Sequence, residues 1–199
     1  MKTMRSSKKR NHSTTKKTFS KKDYEANDGM MTSVWGPAMW HYLHTMSFNY
    51  PTHPSVKDKM YYRNFVLNLQ HVLPCKYCRI NLVKNFKKMP LTMTHMKNRD
   101  TFSKYIYNLH ELINKMLCKK SNLSFAEVRE RYEHFRARCT QNMVPKIKQN
   151  KTHKKKEKGC VEPLYGKKAK CVINIIPQDN KLDNIKVHKD CLKERIKGT

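Results

Sequence analysis

The stretch that decides the fold is "LPCKYCRINLVKNF", residues 73–86, in which Cys75 and Cys78 stand two residues apart behind Pro74. Pro74 interrupts the preceding apolar run, and Cys75, Cys78, Leu82 and Phe86 then recur at helical spacing. This predicts a helix that starts beside the cysteines, ends near Lys88 and turns the pair inward. The flanks are helical on both sides, so the βαβ setting of a thioredoxin-like C-x-x-C is missing. Side chains at i and i+3 lie about 5–6 Å apart at Cβ, so a disulfide closes there with little distortion. Unpaired N–H groups of a first helical turn, with Lys76 and Arg79, favour a thiolate. Thiolates also bind zinc, but zinc needs four ligands, and the chain has no second C-x-x-C or C-x-x-H, with His71 the only near helper. Two cysteines packed as small hydrophobes is the bland reading. Local chemistry leaves all three open and favours redox use modestly.

Outward from the pair, residues 33–139 are helical in pattern almost throughout. A helix from Gly36-Pro37 to about Asn49 places Trp40, Leu43, His44 and Ser47 on one face. A second, from Pro54 to Leu73, carries Tyr62, Phe65, Leu69 and Val72. Downstream of the Cys helix, Asp100 is a plausible N-cap for a helix bearing Phe102, Ile106, Leu109, Ile113 and Met116, with His110 and Asn114 as i,i+4 neighbours. Ser124 and Glu127 form a capping box ahead of Phe125, Val128, Tyr132, Phe135 and Cys139. The fold class is therefore all-α, a bundle of four or five helices with short connections. Three regions follow: a basic, disordered tail (1–32), the helical bundle (33–140), and a basic linker with a poorly patterned C-terminal extension (141–199). Within the extension, "KCVINIIP" at 170–177 reads as a strand or small apolar latch.

The formal net charge of the 199-residue chain is +28. Residues 1–22 hold nine Lys/Arg and no acid, and "KIKQNKTHKKKEK" at 146–158 repeats the pattern. Such blocks repel themselves; they imply at most weak, salt-dependent contact with nucleic acid or another polyanion, since no aromatic residues interleave as a stacking platform would require. No apolar run approaches membrane-span length and no signal-peptide core is visible, which predicts an intracellular protein without a membrane partner. Seven cysteines, an odd and scattered set, argue against a purely structural disulfide framework.

Three segments in register, "WGPAMWHYLHTMSFNYP", "LPCKYCRINLVKNF" and "LHELINKMLCKKSNLSFAEVRERYEHF", resemble the Erv/Alr family of FAD-linked sulfhydryl oxidases over about residues 35–139. A G-x-x-x-W-x-x-L-H signature is matched by Gly36, Trp40, Leu43 and His44. A second, H-N-x-V-N-x-x-L-G-K, is matched by His110, Ile113, Asn114, Leu117 and Lys119, with Glu111 and Cys118 departing from it. The resemblance implies a homodimeric bundle enclosing FAD, with the flavin beside the Cys75–Cys78 disulfide. It implies a cofactor site built from Gly36, Trp40, His44, His110, Asn114, Lys119, Arg131 and Tyr132. It further implies thiol attack at Cys75, Cys78 facing the flavin, electron transfer to O₂ to give hydrogen peroxide, and protein thiols as substrates. Many relatives carry a shuttle Cys pair on a tail; Cys160, Cys171 and Cys191 are the candidates here, with Cys160–Cys171 the first pairing. Cellular members of the family also join the fourth helix to the segment before the fifth by a structural disulfide, which Tyr107 and the Cys-free stretch 121–127 suggest is absent here. The motif variants look most like oxidases of large nucleo-cytoplasmic DNA viruses, which would place the protein in host cytoplasm or virion. The alternatives are a zinc-binding, nucleic-acid-associated viral protein and a non-catalytic structural protein on the same fold.

Overall fold

A computed structural model describes residues 20–138, 159–177, 179–180 and 186–192. The helices are α1 (Lys21–Tyr24), α2 (Thr32–Phe48), α3 (Val56–Val72), α4 (Lys76–Lys88), α5 (Arg99–Met116) and α6 (Phe125–Glu133). Two-residue strands β1 (Ala137–Arg138) and β2 (Glu162–Pro163) pair antiparallel, and Lys189–Cys191 forms one 3₁₀ turn. The all-α expectation holds.

Side-chain caps start α3, α4, α5 and α6. Capping boxes open α3 (Ser55 with Asp58), α5 (Asn98 with Thr101) and α6 (Ser124 with Glu127), each satisfying two backbone N–H groups reciprocally. Helix α4 is capped by a thiol: Cys75 is extended, and its Sγ accepts the Cys78 N–H at 3.3 Å. Packing then pairs α2 with α5 and α3 with α4, with α6 laid on α2. The main core is filled by Tyr50, Val66, Met96, Phe102, Tyr105 and Ile106, with Leu82 and Phe86 of α4. A smaller cluster of Phe48, Val128 and Tyr132 fixes α6.

Several boundaries differ from the sequence reading. Helix α2 begins one turn early, at Thr32, so Pro37 lies inside it; the Trp35 indole N–H donates to Met30 O at 3.1 Å and anchors the extra turn. Asn98, not Asp100, caps α5, because only Asn98 exchanges bonds with Thr101. On α3 the buried residues are Val66 and Leu69, whereas Phe65 and Val72 face solvent. Helix α6 stops at Glu133 instead of running to Cys139: Arg136 grips the Glu133 carboxylate and donates to Phe48 O, turning the chain into β1. Cys139, residues 146–158 and residues 1–19 of the N-terminal Lys-rich segment lie outside the described residues; from Ser20 on, the tail expected to be disordered instead holds α1 and the bridge from Gly29 to Cys75.

The extension returns to the bundle through β1–β2 and the bond from Leu164 N to Arg136 O at 2.8 Å. The segment 170–177 is neither strand nor latch; Val172, Ile173 and Ile175 are exposed. Among the described residues no helix is long and apolar enough to cross a membrane.

Candidate active site

Two constellations make up the site, one of thiols and one of rings. The thiol pair occupies the first turn of α4. Both cysteines are half-buried and reduced, with Cys78 set deeper than Cys75. Burial pushes the Cys75 thiol up, but hydrogen bonds from the Cys78 side chain and from the Cys78 and Tyr77 N–H groups, with the Arg79 charge, more than offset it and hold Cys75 below the usual thiol range. For Cys78 the balance reverses: burial, the hydrogen bond it gives Cys75 and the charge on that neighbour push it up to about 11. In the singly ionised dithiol the proton therefore sits on Cys78. Arg79 is itself held by Leu73 O.

A backbone segment lies against the pair. Gly29 forms an isolated antiparallel bridge with Cys75, and Met30 N donates to Pro74 O at 2.7 Å. Gly29 has φ +117°, and a Cβ there would meet Pro74 O at 2.8 Å and Cys75 Cα at 3.0 Å, so conformation and space both require glycine. Nothing in the local sequence placed Gly29 beside Cys75.

The ring constellation joins α2, α5 and α6. Trp40 stacks on His110 with centroids 3.9 Å apart and planes 7° apart. His110 Nδ1 and His44 Nε2 share a hydrogen bond of 3.0 Å, and the His44 ring stacks with Tyr132 at 5.2 Å. Burial first, and for His44 the nearby His110 and His41 as well, lowers these imidazoles to about 3 (His44) and about 4 (His110), so both are neutral near pH 7. The buried His44 Nδ1 is left with no hydrogen-bond partner. His41 and Phe48, which the sequence reading passed over, belong here: His41 Nδ1 meets the Tyr132 hydroxyl at 3.3 Å, and Phe48 stacks on Tyr132 at 5.4 Å. Their signal was present, since both lie on the "WHYLH" helix, His41 next to Trp40 and Phe48 just over two turns on.

Other expected site residues sit farther out. The Lys119 N–H donates to Asn114 O at 2.8 Å, and Asn114 Nδ2 donates to Glu111 at 3.1 Å. Lys119 is exposed beside Lys115 and Lys120 on an open basin of about 540 Å³ at the end of α5. Arg131 is half-buried on α6. Around Gly36 a Cβ would meet nothing within 4 Å, so packing within this chain does not demand glycine there. The expected Cys160–Cys171 pair is not formed: Cys160 is disulfide-bonded, whereas Cys171 and Cys191 are free thiols. Trp40 and Leu73, the latter two residues before Cys75, pack on the same core. Among the described residues, no group of three or more His, Cys, Asp or Glu is gathered to hold a metal.

Comparison with known proteins meets this geometry on the same helices. The Erv1/Alr family pattern matches residues 37–133. A probable FAD-linked sulfhydryl oxidase of Acanthamoeba polyphaga mimivirus is 33% identical over 104 residues, covering 52% of this chain and 72% of that one. The chain belongs to the Erv1/Alr family. An FAD-linked sulfhydryl oxidase of African swine fever virus is 32% identical over 99 residues, 50% of this chain and 80% of that one. The mitochondrial FAD-linked sulfhydryl oxidase of Saccharomyces cerevisiae is 25% identical over 95 residues, 47% of this chain and 49% of that one. Every cysteine of the α4 pair and every ring of the Trp40–His44–His110–Tyr132 cluster falls inside the span matched to the Erv1/Alr family.

Proposed function

We propose that the chain is an FAD-dependent thiol oxidase that forms disulfides in protein substrates. The observation that carries this reading is the differentiated dithiol of Cys75 and Cys78 on a helix that shares its core with the Trp40–His110 stack.

The ring cluster fits the cofactor named for the relatives. Flat, neutral Trp40, His110 and Tyr132 offer stacking faces, the partnerless Nδ1 of His44 offers one unsatisfied polar atom to a heteroaromatic ligand, and Lys119 with Lys115 and Lys120 suits a pyrophosphate. These residues, with Asn114, would hold FAD. When bound, FAD supplies a two-electron acceptor for the reduced pair and passes the electrons to O₂, giving hydrogen peroxide.

The chain's own residues handle the thiols. A substrate thiol attacks Sγ of Cys75, the shallower sulfur of the Cys75–Cys78 disulfide; a new S–S bond forms to substrate, and Cys78 leaves and takes up a proton, in keeping with its raised thiol value. The second substrate thiolate then attacks the substrate sulfur of that mixed disulfide, releasing the oxidised substrate and a Cys75 thiolate. The Tyr77 and Cys78 N–H groups and Arg79 stabilise that leaving thiolate. Two thiols of substrate have become one disulfide, and the α4 pair holds the two electrons.

A homodimer is supported by an exposed apolar face on α2 and α3, where Tyr42 meets Phe65 edge-on at 5.9 Å beside Tyr61, and a second copy of this chain would cover it. We propose host cytoplasm or virion as its location, a reading prompted by its likeness to viral oxidases. The test is the absorption spectrum of the purified protein: a bound-flavin spectrum with one FAD per chain is expected, and a colourless protein that binds no added FAD sinks the reading.

A further inference from the structure

The charge along α4 and its flanking chain is one-sided. From Asp58 to Asp100 the chain contains no intervening Asp or Glu and nine Lys or Arg, and this stretch includes nearly all of α3, all of α4 and the link to α5. On α4 the exposed positions continue from the cysteines as a stripe: Lys76, Tyr77, Ile80, Lys84 and Lys87. Tyr77, between the two cysteines, is 74% exposed, and Val72 just upstream is 67% exposed. Exposed apolar Val72, Tyr77 and Ile80 thus flank the thiols in sequence, and lysines follow along the helix, with Lys84 about 9 Å beyond Cys78 at 1.5 Å rise per residue.

A stretch of chain preceded by acidic residues, Asp23 and Glu25 at α1 and Asp28 beside Gly29, is already seated at this place. The chain running into Gly29 reads Asp23-Tyr24-Glu25-Ala26-Asn27-Asp28, and Gly29 bridges Cys75 through the backbone while Met30 N donates to Pro74 O. The backbone beside Cys75 thus already pairs with a neighbouring stretch of chain, in the manner of a sheet edge.

We infer that the exposed stripe of α4, from Tyr77 to Lys87, is the docking surface for protein substrates, and that it selects cysteines carried in extended, acidic segments with an apolar residue beside the thiol. This rests on the thiol-oxidase reading and adds the substrate class. Tyr77 and Ile80 contact the apolar residue next to the substrate cysteine, and Lys84 and Lys87 meet its acidic flank. In water such charges act chiefly by steering encounter, so the preference shows in kcat/KM and falls as salt screens it.

The experiment compares two dithiol peptides of one length and one core sequence, one flanked by Asp and the other by Lys, as substrates of the FAD-loaded full chain. The acidic peptide is expected to have a kcat/KM at least about tenfold higher at about 20 mM salt, shrinking to within about twofold at about 0.5 M. In the double variant Lys84→Glu, Lys87→Glu the ratio should fall to about one or invert. Equal rates for the two peptides, or an acidic preference that survives in the double variant and so comes from the basic tails, overturns the inference. Dithiothreitol, small and neutral, reports on the oxidase reading alone, since failure to oxidise it defeats that reading. Docking is then decided by fluorescence anisotropy with the same peptides carrying Ser for Cys, where tighter binding of the acidic peptide must again depend on Lys84 and Lys87.

Discussion

The Trp40 indole lies flat on the His110 imidazole, 3.9 Å away, and His110 is hydrogen-bonded in turn to the buried His44. Because both imidazoles are neutral and partly sealed from water, this contact is conditional on pH. Their folded values, about 3 and about 4, lie below the ordinary 6.5. Between about pH 6.5 and 4 the unfolded chain therefore binds protons that the folded chain does not, and stability present above 6.5 is lost as pH falls. Urea midpoints should drop between pH 7.5 and pH 5, above the range in which ordinary carboxylates titrate. Replacing His110→Phe should shrink that drop; a midpoint that does not move contradicts the neutral-imidazole account.

The two thiols of α4 should differ in reactivity. With Cys75 held below the usual thiol range and Cys78 pushed up to about 11, iodoacetamide should label Cys75 first in the reduced protein. The rate should rise with pH through a value below that of a free thiol. Peptide mapping after a short pulse checks it, and preferential labelling of Cys78 would reverse the assignment of the proton.

Cys118 stands at φ +55°, in the left-handed region, where the family signature matched by "LCK" carries glycine. A side chain there costs about 1 kcal/mol or more. Cys118→Gly should raise stability by about 0.5–1 kcal/mol and Cys118→Val should lower it by about 1–2 kcal/mol, read from urea midpoints. A destabilised glycine variant would mean the thiol makes a contact that outweighs the backbone term.

Where cellular members in the resemblance carry a disulfide joining the helix equivalent to α5 to the segment before α6, this chain uses a phenol. Tyr107 Oη donates to Leu123 O at 2.8 Å, and its ring packs on Phe125 at 5.6 Å. Tyr107→Phe keeps the ring and removes the hydrogen bond, so a loss of about 1 kcal/mol is expected. A reductant should not mimic that loss, because no cysteine is involved at this joint.

Much of this architecture was legible because it is local. The Ser124–Glu127 box reads directly from four residues, and the burial of Leu82 and Phe86 follows from their spacing to the cysteines. Helix α3 was harder. Tyr61, Tyr62, Phe65, Val66 and Leu67 give it apolar residues on every side, so periodicity could not choose Val66 over Phe65; packing against α4 made the choice. Asn98 and Asp100 are both good caps, and the reciprocal bond from Thr101 decided between them. The candidate site was least legible locally. His44 and His110 meet across 66 residues, and only the family resemblance brought them together beforehand. The bridge from Gly29 to Cys75 had no such guide, since a glycine before a helix signals a turn wherever it falls.

The most direct measurement of the central claim is oxygen uptake by the FAD-loaded protein supplied with dithiothreitol, for the wild type and for Cys75→Ser and Cys78→Ser. The account predicts steady turnover with hydrogen peroxide formed mole for mole with oxygen in the wild type, and a fall to about one-hundredth or less in either variant while its bound-flavin spectrum persists. Turnover that continues unchanged in both variants would contradict it.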